Sequence, residues 1–138
     1  MELVLGTAQF GQQYGITNKS KNFNDLKELE LILSELQASG FNKIDTAQSY
    51  GASEKMLGEI GVDDFKITSK ISFPSSTKNL TQEVIKKIQL SLKNLNLDYL
   101  DCLLAHNPNY LIDYPDESSG LIETLKREGL IKSFGVSV

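Results

Sequence analysis

Four side chains able to move protons or carry charge stand at, or in the loop just after, the end of a short apolar run. Asp45 ends the run "NKID", and Tyr50 follows five residues later within "IDTAQSYGASE". Lys70 lies in "ITSKIS", and His106, the only histidine, stands directly before Asn107 and Pro108. A carboxylate, a phenol, an ammonium and an imidazole supply donors, acceptors and charges of both signs, the material of acid–base chemistry. Taken singly, each also has a plainer use. Asp45 can cap the turn that follows it, Tyr50 can be a half-buried loop aromatic, Lys70 a solvated strand end, and His106 a hydrogen-bonded turn residue. A lysine in an apolar strand still needs a partner or a route to water. All four at equivalent places, in order along the chain, are hard to explain as separate coincidences.

The elements that must position them read as strands alternating with helices. Short apolar runs at 3–8, 42–45, 65–72, 97–106 and 131–138 are the strands. Between them, Leu26, Leu29, Leu33 and Leu36 recur at helical spacing in 24–40, with Asn24 as a cap and Gly40 as a stop. A short helix is expected over 53–60 with Ser53 as its N-cap. A longer one spans 80–96, carrying Val84, Ile85, Ile88, Leu92 and Leu95 on one face, and a fourth spans 117–130 with Gly129 near its end. The stretch 74–79 breaks structure, and "NPN" at 107–109 signals a turn. Five strands alternating with four helices imply a parallel sheet with right-handed crossovers, and function then gathers beyond the carboxyl ends of the strands. Two architectures fit. A doubly wound, flavodoxin-like sheet is complete at this length, whereas a (β/α)8 barrel needs eight units and ~250 residues.

Bulk properties narrow the function. The 138 residues are 40% hydrophobic and 23% charged, as in an ordinary single globular domain over 1–138. A net charge of -4 gives little support to nucleic acid or an anionic membrane as partner. No apolar run approaches the ~20 residues that span a bilayer. The N-terminus lacks a basic leader and reads as a first strand, not a signal peptide. Cys102 is expected to be a reduced core thiol, consistent with a cytoplasmic protein. One histidine and one cysteine give no ligand-spaced pair, so no metal site is expected. There is no Gly-x-Ser-x-Gly elbow for hydrolase chemistry. The loop "AQFGQQYG" has neither the acidic cluster nor the phosphate cradle of a flavodoxin-type module.

The runs "LVLGTAQFG", "IDTAQSYGASEKMLG", "ITSK" and "DCLLAHNP" closely resemble the aldo-keto reductases. That resemblance covers the whole chain and implies a partial (β/α)8 barrel, its first five strands with four helices. It implies reduction of small aldehydes or ketones with NADP(H). The family's tetrad would fall on Asp45, Tyr50, Lys70 and His106. Tyr50 would donate the proton, Lys70 would make it acidic, Asp45 would keep Lys70 charged, and His106 would hold the carbonyl oxygen. Gly6, Thr7, Asp45 and Ser137 would contact the cofactor. Many relatives carry asparagine after that serine, where this chain has Val138. The strands that usually bind the cofactor phosphate would lie beyond the fifth, so the sequence does not separate NADPH from NADH. The chain is expected to be a fragment of a longer reductase, with self-association through open barrel edges and an inactive truncation as the alternatives. A regulatory barrel that senses cofactor, and a complete flavodoxin-like module, are the rival readings.

Overall fold

Leu29 and Leu33 lie one helical turn apart, and both are buried in a core shared with Ile44, Leu57, Ile67, Ile88 and Leu103. The computed structural model describes residues 3–11, 25–73 and 79–138. Along the chain run β1 (Leu5–Gly6), α1 (Leu26–Ala38), β2 (Lys43–Asp45), α2 (Ser53–Ile60), β3 (Lys66–Ile71), α3 (Leu80–Leu95), β4 (Leu100–Ala105), α4 (Asn109–Asp113), α5 (Pro115–Arg127) and β5 (Ile131–Val136). The five strands form one parallel sheet in the order β1-β2-β3-β4-β5. Each strand is added beside its predecessor in the same direction. Right-handed crossovers that never reverse direction put every connecting helix on one side of the sheet. A doubly wound sheet must reverse its strand order to cover both faces, so the flavodoxin-like alternative is excluded and the barrel-type winding holds.

Several local expectations are corrected. The expected first strand, 3–8, is only Leu5–Gly6. Asn24 lies outside the described residues; the observed cap of α1 is Asp25, whose side chain accepts from Lys27 N at 2.9 Å. Ser53 does not cap α2. It is the helix's first residue, follows Ala52 at the cap, and turns its hydroxyl into a buried cluster. Five helices are described in place of four, because "NPN" opens a short one. Asn107 Oδ1 accepts from Asn109 N at 2.8 Å, which turns the chain directly into α4. The helix expected from 117 starts at Pro115, whose fixed backbone suits a first helical position. Gly40 and Gly129 follow the ends of their helices as expected.

The helix side of the sheet is covered over β2, β3 and β4, while Val136 on β5 is exposed. Ile44, Ile67, Ser69, Ile71, Leu103 and Ala105 alternate toward this side and are buried. Thr68, Cys102 and Leu104 alternate toward the other face and are only partly covered, so Cys102 is a free, half-buried thiol and not a sealed core residue. At the amino ends, Asp101 ties three strands together. Its carboxylate accepts from Ile67 N and from Lys132 Nζ, each at 3.0 Å, and its carbonyl accepts from the Ser133 hydroxyl at 2.6 Å.

Two packing features give testable stabilities. α2 and α3 meet at Gly58, where an added Cβ would lie 2.0 Å from Asn94 O and 2.8 Å from the Leu95 carbonyl carbon. Those contacts are backbone and cannot swing aside, so Gly58→Ala must push the helices apart. A loss of ~3 kcal/mol or more in urea unfolding is expected. Near α4, Tyr110 is buried against Phe73 and Tyr114, and its hydroxyl has no hydrogen-bond partner among the described residues. Burial raises its pKa above the ordinary tyrosine value, and Glu117 and Tyr114 add to the shift. The folded state therefore holds this proton in a pH window where the unfolded chain has released it. Its contribution to stability is full below ~10 and is lost as pH rises through that window. Tyr110→Phe should raise stability by ~1 kcal/mol at neutral pH by removing an unsatisfied hydroxyl. It should also lessen the alkaline loss seen in the parent chain.

Candidate active site

Strand register decides which side chains can meet. Gly6 pairs with Asp45, and Asp45 with Thr68. Thr68 pairs with Cys102 and Lys70 with Leu104; Cys102 pairs with Ser133 and Leu104 with Gly135. Side chains alternate with period two along each strand. Gly6, Asp45, Lys70, His106 and Ser137 therefore share one face, the one turned away from the helices. Backbone pairing continues past the strand ends and carries this register into the loops. Thr46 N donates to Thr68 O at 2.9 Å, Gln48 N to Lys70 O at 3.0 Å, His106 N to Ile71 O at 2.8 Å, and Ser137 N to Ala105 O at 2.9 Å.

Lys70 sits one pleat beyond Thr68, diagonal to Asp45, and a lysine stem spans that diagonal. Its ammonium donates to Asp45 Oδ1 and, at 3.3 Å, to Thr46 O. The Lys70 side chain is 8% exposed and that of Asp45 31%. The ammonium is thus almost out of water while its carboxylate partner still touches it. The same Nζ lies over the Tyr50 ring, 5.2 Å from its centre. Tyr50 reaches this place through a tight loop, with Tyr50 N donating to Ala47 O and Ser53 N to Tyr50 O. Its ring meets the His106 ring edge to face at 6.2 Å and 84°. Asp45, Tyr50, Lys70 and His106 therefore form one contiguous group, each in contact with at least one other.

Of the remaining expected positions, Gly6 lies beside Asp45 on the exposed face, with nothing within 4 Å of where a side chain would begin. Ser137 is half-buried at the end of β5. Thr7 does not join them. One residue past Gly6, it alternates to the helix side and is fully buried. Its hydroxyl donates to Asp45 O at 3.1 Å and accepts from the Ser53 hydroxyl at 2.8 Å, and Ser53 also lies 3.0 Å from Thr46 Oγ1.

The structure adds residues that the sequence did not single out. Glu54, in the first turn of α2, is buried. Ser69 Oγ donates to its Oε1 at 2.7 Å and Asn94 Nδ2 to its Oε2 at 3.5 Å. It joins the helix that follows Tyr50 to the strand that carries Lys70. Gln48 fastens the same loop from outside, its Nε2 donating to Lys87 O at 3.0 Å. The Ser49 hydroxyl lies 3.4 Å from His106 Nδ1. The only usable signal for Glu54 was its place at the first turn of a helix, which suits an exposed acid equally well. Among the described residues no group of acids, cysteines or histidine could hold a metal ion.

A family model described as the aldo/keto reductase family matches residues 2–138. D-arabinose 1-dehydrogenase of Saccharomyces cerevisiae is 31% identical over 147 residues, an alignment covering 98% of this chain and 42% of the yeast protein. The crystal structure of a candidate aldo-keto reductase of Pseudomonas aeruginosa superposes with a TM-score of 0.77 at 30% identity. It matches 97% of this chain and 54% of that one. An aldo-keto reductase of Klebsiella pneumoniae, crystallised with NADPH, gives 0.74 at 25% identity and covers 98% and 45%. The chain thus spans about half the length of the relatives it matches, and its five strands correspond to part of their (β/α)8 barrels.

The ion pair can be tested without any assay of turnover. Asp45→Asn leaves a nearly buried ammonium without its countercharge. Breaking a fully buried pair costs about 3–5 kcal/mol, and partial solvation of Asp45 lowers the expected loss to ~1–3 kcal/mol. Adding Lys70→Met to that variant should restore most of it, because the stranded charge is gone. Urea unfolding of the two variants measures both, and a double variant no more stable than Asp45→Asn would mean that the charge pair is not what the substitution broke.

Proposed function

The chain belongs to the aldo/keto reductase family, and from that membership we propose that it carries the acid–base half of an NADP(H)-dependent reductase of small aldehydes or ketones. The observation that carries this reading is the shared face. Asp45, Lys70 and His106 rise along it from neighbouring strands, and Tyr50 closes over Lys70 from the loop.

The residues fit a flat nicotinamide on the same face. Gly6 leaves open space beside Asp45, and Ser137 offers a hydroxyl and a backbone at the far strand. Gly6, Asp45 and Ser137 are the proposed contacts, with Thr7 supporting Asp45 from behind through its carbonyl. When bound, the cofactor supplies a hydride to the carbonyl carbon. The chain's own residues handle the oxygen. As hydride arrives, that oxygen gains negative charge and takes a proton from the Tyr50 hydroxyl. The Lys70 ammonium, beside the ring, stabilises the negative charge left on the phenol oxygen as the proton leaves. Asp45 offsets the penalty of holding that ammonium away from water. His106 donates to the carbonyl oxygen and aligns it.

β1 and β5 are each paired on one side only among the described residues, which leaves two strand edges open. We assign these edges to closure, by the remaining strands of a longer chain or by self-association. A cytoplasmic location is part of the same proposal. Among the described residues no helix is long and apolar enough to cross a membrane, and Cys102 is a free thiol.

The test is NADPH oxidation with a small aldehyde such as methylglyoxal, using the complete protein, whether a longer chain or a self-associated assembly of this one. Tyr50→Phe should lower kcat by ~10²- to 10⁴-fold, the usual contribution of a positioned acid, while cofactor fluorescence still reports binding. Turnover retained within a few-fold would remove Tyr50 as proton donor. Cofactor binding without reduction of any aldehyde or ketone would favour a regulatory barrel.

A further inference from the structure

We propose that Ser49 is a positioning residue that sets the tautomer of His106, its hydroxyl donating to Nδ1 so that the ring carries its single proton on Nε2. The proposal deepens the reductase reading and rests on it for its catalytic consequence.

A neutral imidazole has one N–H, so one ring nitrogen donates and the other accepts, and a hydrogen bond at one fixes the role of the other. Ser49 Oγ lies 3.4 Å from Nδ1, and Ser49 is the side chain within hydrogen-bonding distance of this ring among the described residues. The loop leaves Ser49 little freedom to go elsewhere. Gln48 before it is bonded to Lys70 O through its backbone and to Lys87 O through its side chain. Tyr50 after it is bonded to Ala47 O and packs its ring against the imidazole. His106 is fixed from its own side by donation to Ile71 O. Ring and hydroxyl are therefore brought together by two separately anchored segments.

A serine hydroxyl can donate or accept, and the two polarities have opposite results. If it accepts from Nδ1–H, Nε2 presents a lone pair, which repels a carbonyl oxygen and competes with it for the Tyr50 proton. If it donates, Nε2–H becomes a donor that a carbonyl oxygen can use. Only the second polarity lets Tyr50 and His106 hold one oxygen together, so the productive ring is the one to which the Ser49 hydroxyl donates.

His106 is the chain's only histidine, so labelling with ¹⁵N-histidine gives one pair of ring nitrogen signals. Long-range proton–nitrogen correlation on the 138-residue chain, titrated to the neutral ring, should show a pyridine-type Nδ1 and a pyrrole-type Nε2. Ser49→Ala should move the two nitrogen shifts toward each other as the tautomers mix, and Ser49→Thr should restore the separation. Because Ser49 is exposed, the backbone spectrum should otherwise be unchanged. A pyrrole-type Nδ1 in the parent chain, or identical ring shifts in parent and Ser49→Ala, would overturn the proposal. In the complete protein, Ser49→Ala should lower kcat by roughly five-fold, as for the loss of one hydrogen bond of ~1 kcal/mol, with cofactor affinity unmoved. Absence of any carbonyl reduction by the complete protein would count against the reductase reading and leave the spectroscopic result to judge Ser49.

Discussion

The period-two alternation of a parallel strand is the constraint on which the rest of this structure depends. Five strands in unbroken register put Gly6, Asp45, Lys70, His106 and Ser137 on one face, because each occupies the same parity when counted through the pairings. A slip of one residue in β3 would send Lys70 into the helix layer and bring Ser69 to the open side. The helix-side residues oppose that slip. Ile67 and Ile71 are fully buried there, and exposing them would forfeit roughly 1.5–3 kcal/mol each. The position of the ammonium is thus held by apolar packing on the opposite face of its own strand.

Charge is placed with the same economy. Lys70 faces away from the helices yet is nearly dry, and it keeps a carboxylate that still reaches water. Behind the strand, Glu54 is also buried, but its partners are the neutral groups of Ser69 and Asn94. The two acids flank β3 from opposite sides and differ in what they do. Asp45 supplies countercharge, whereas Glu54 ties α2 to β3 and α3 through directional bonds. The hydroxyls of Thr7, Thr46 and Ser53 complete the back wall, joining β1, the loop after β2, and α2. A buried polar cluster of this kind is stable only with its members paired. That requirement fixes α2, and with it the loop that presents Tyr50.

Much of this was legible in the residues, and the rest was hidden for identifiable reasons. Helical spacing of Leu29 and Leu33, and of Val84, Ile88, Leu92 and Leu95, located α1 and α3, because burial of one face is a local pattern. The tetrad positions stood out because polar residues at strand ends interrupt apolar runs. Winding was legible through the family resemblance and not through the element pattern. Composition and element order suit doubly wound and barrel sheets equally, and only strand order separates them. Thr7 and Ser53 share one hidden feature: residue type suggests a local role for each, a site contact or a helix cap, and each is engaged by a bond to a residue 46 positions away. Glu54 was hidden for a related reason, since a buried acid and a solvated one look alike until the partners are seen.

The loop from Thr46 to Ala52 is the one irregular part of the candidate site, and its fastenings explain how an irregular segment can hold a phenol in place. Its backbone extends the pairing of β2 onto β3 for two further steps, through Thr46 and Gln48. Gln48 then reaches sideways to α3, a third element independent of both strands. After that anchor the chain turns twice on its own carbonyls and enters α2. Four residues, Ser49 to Ala52, separate the last sheet-like bond from the helix, and the two that reach the site are Ser49 and Tyr50. Both have their side chains against His106. The imidazole therefore meets a segment whose ends are rigid and whose middle is short, the arrangement that pre-orders donors around an oxygen without requiring them to be ordered when substrate arrives.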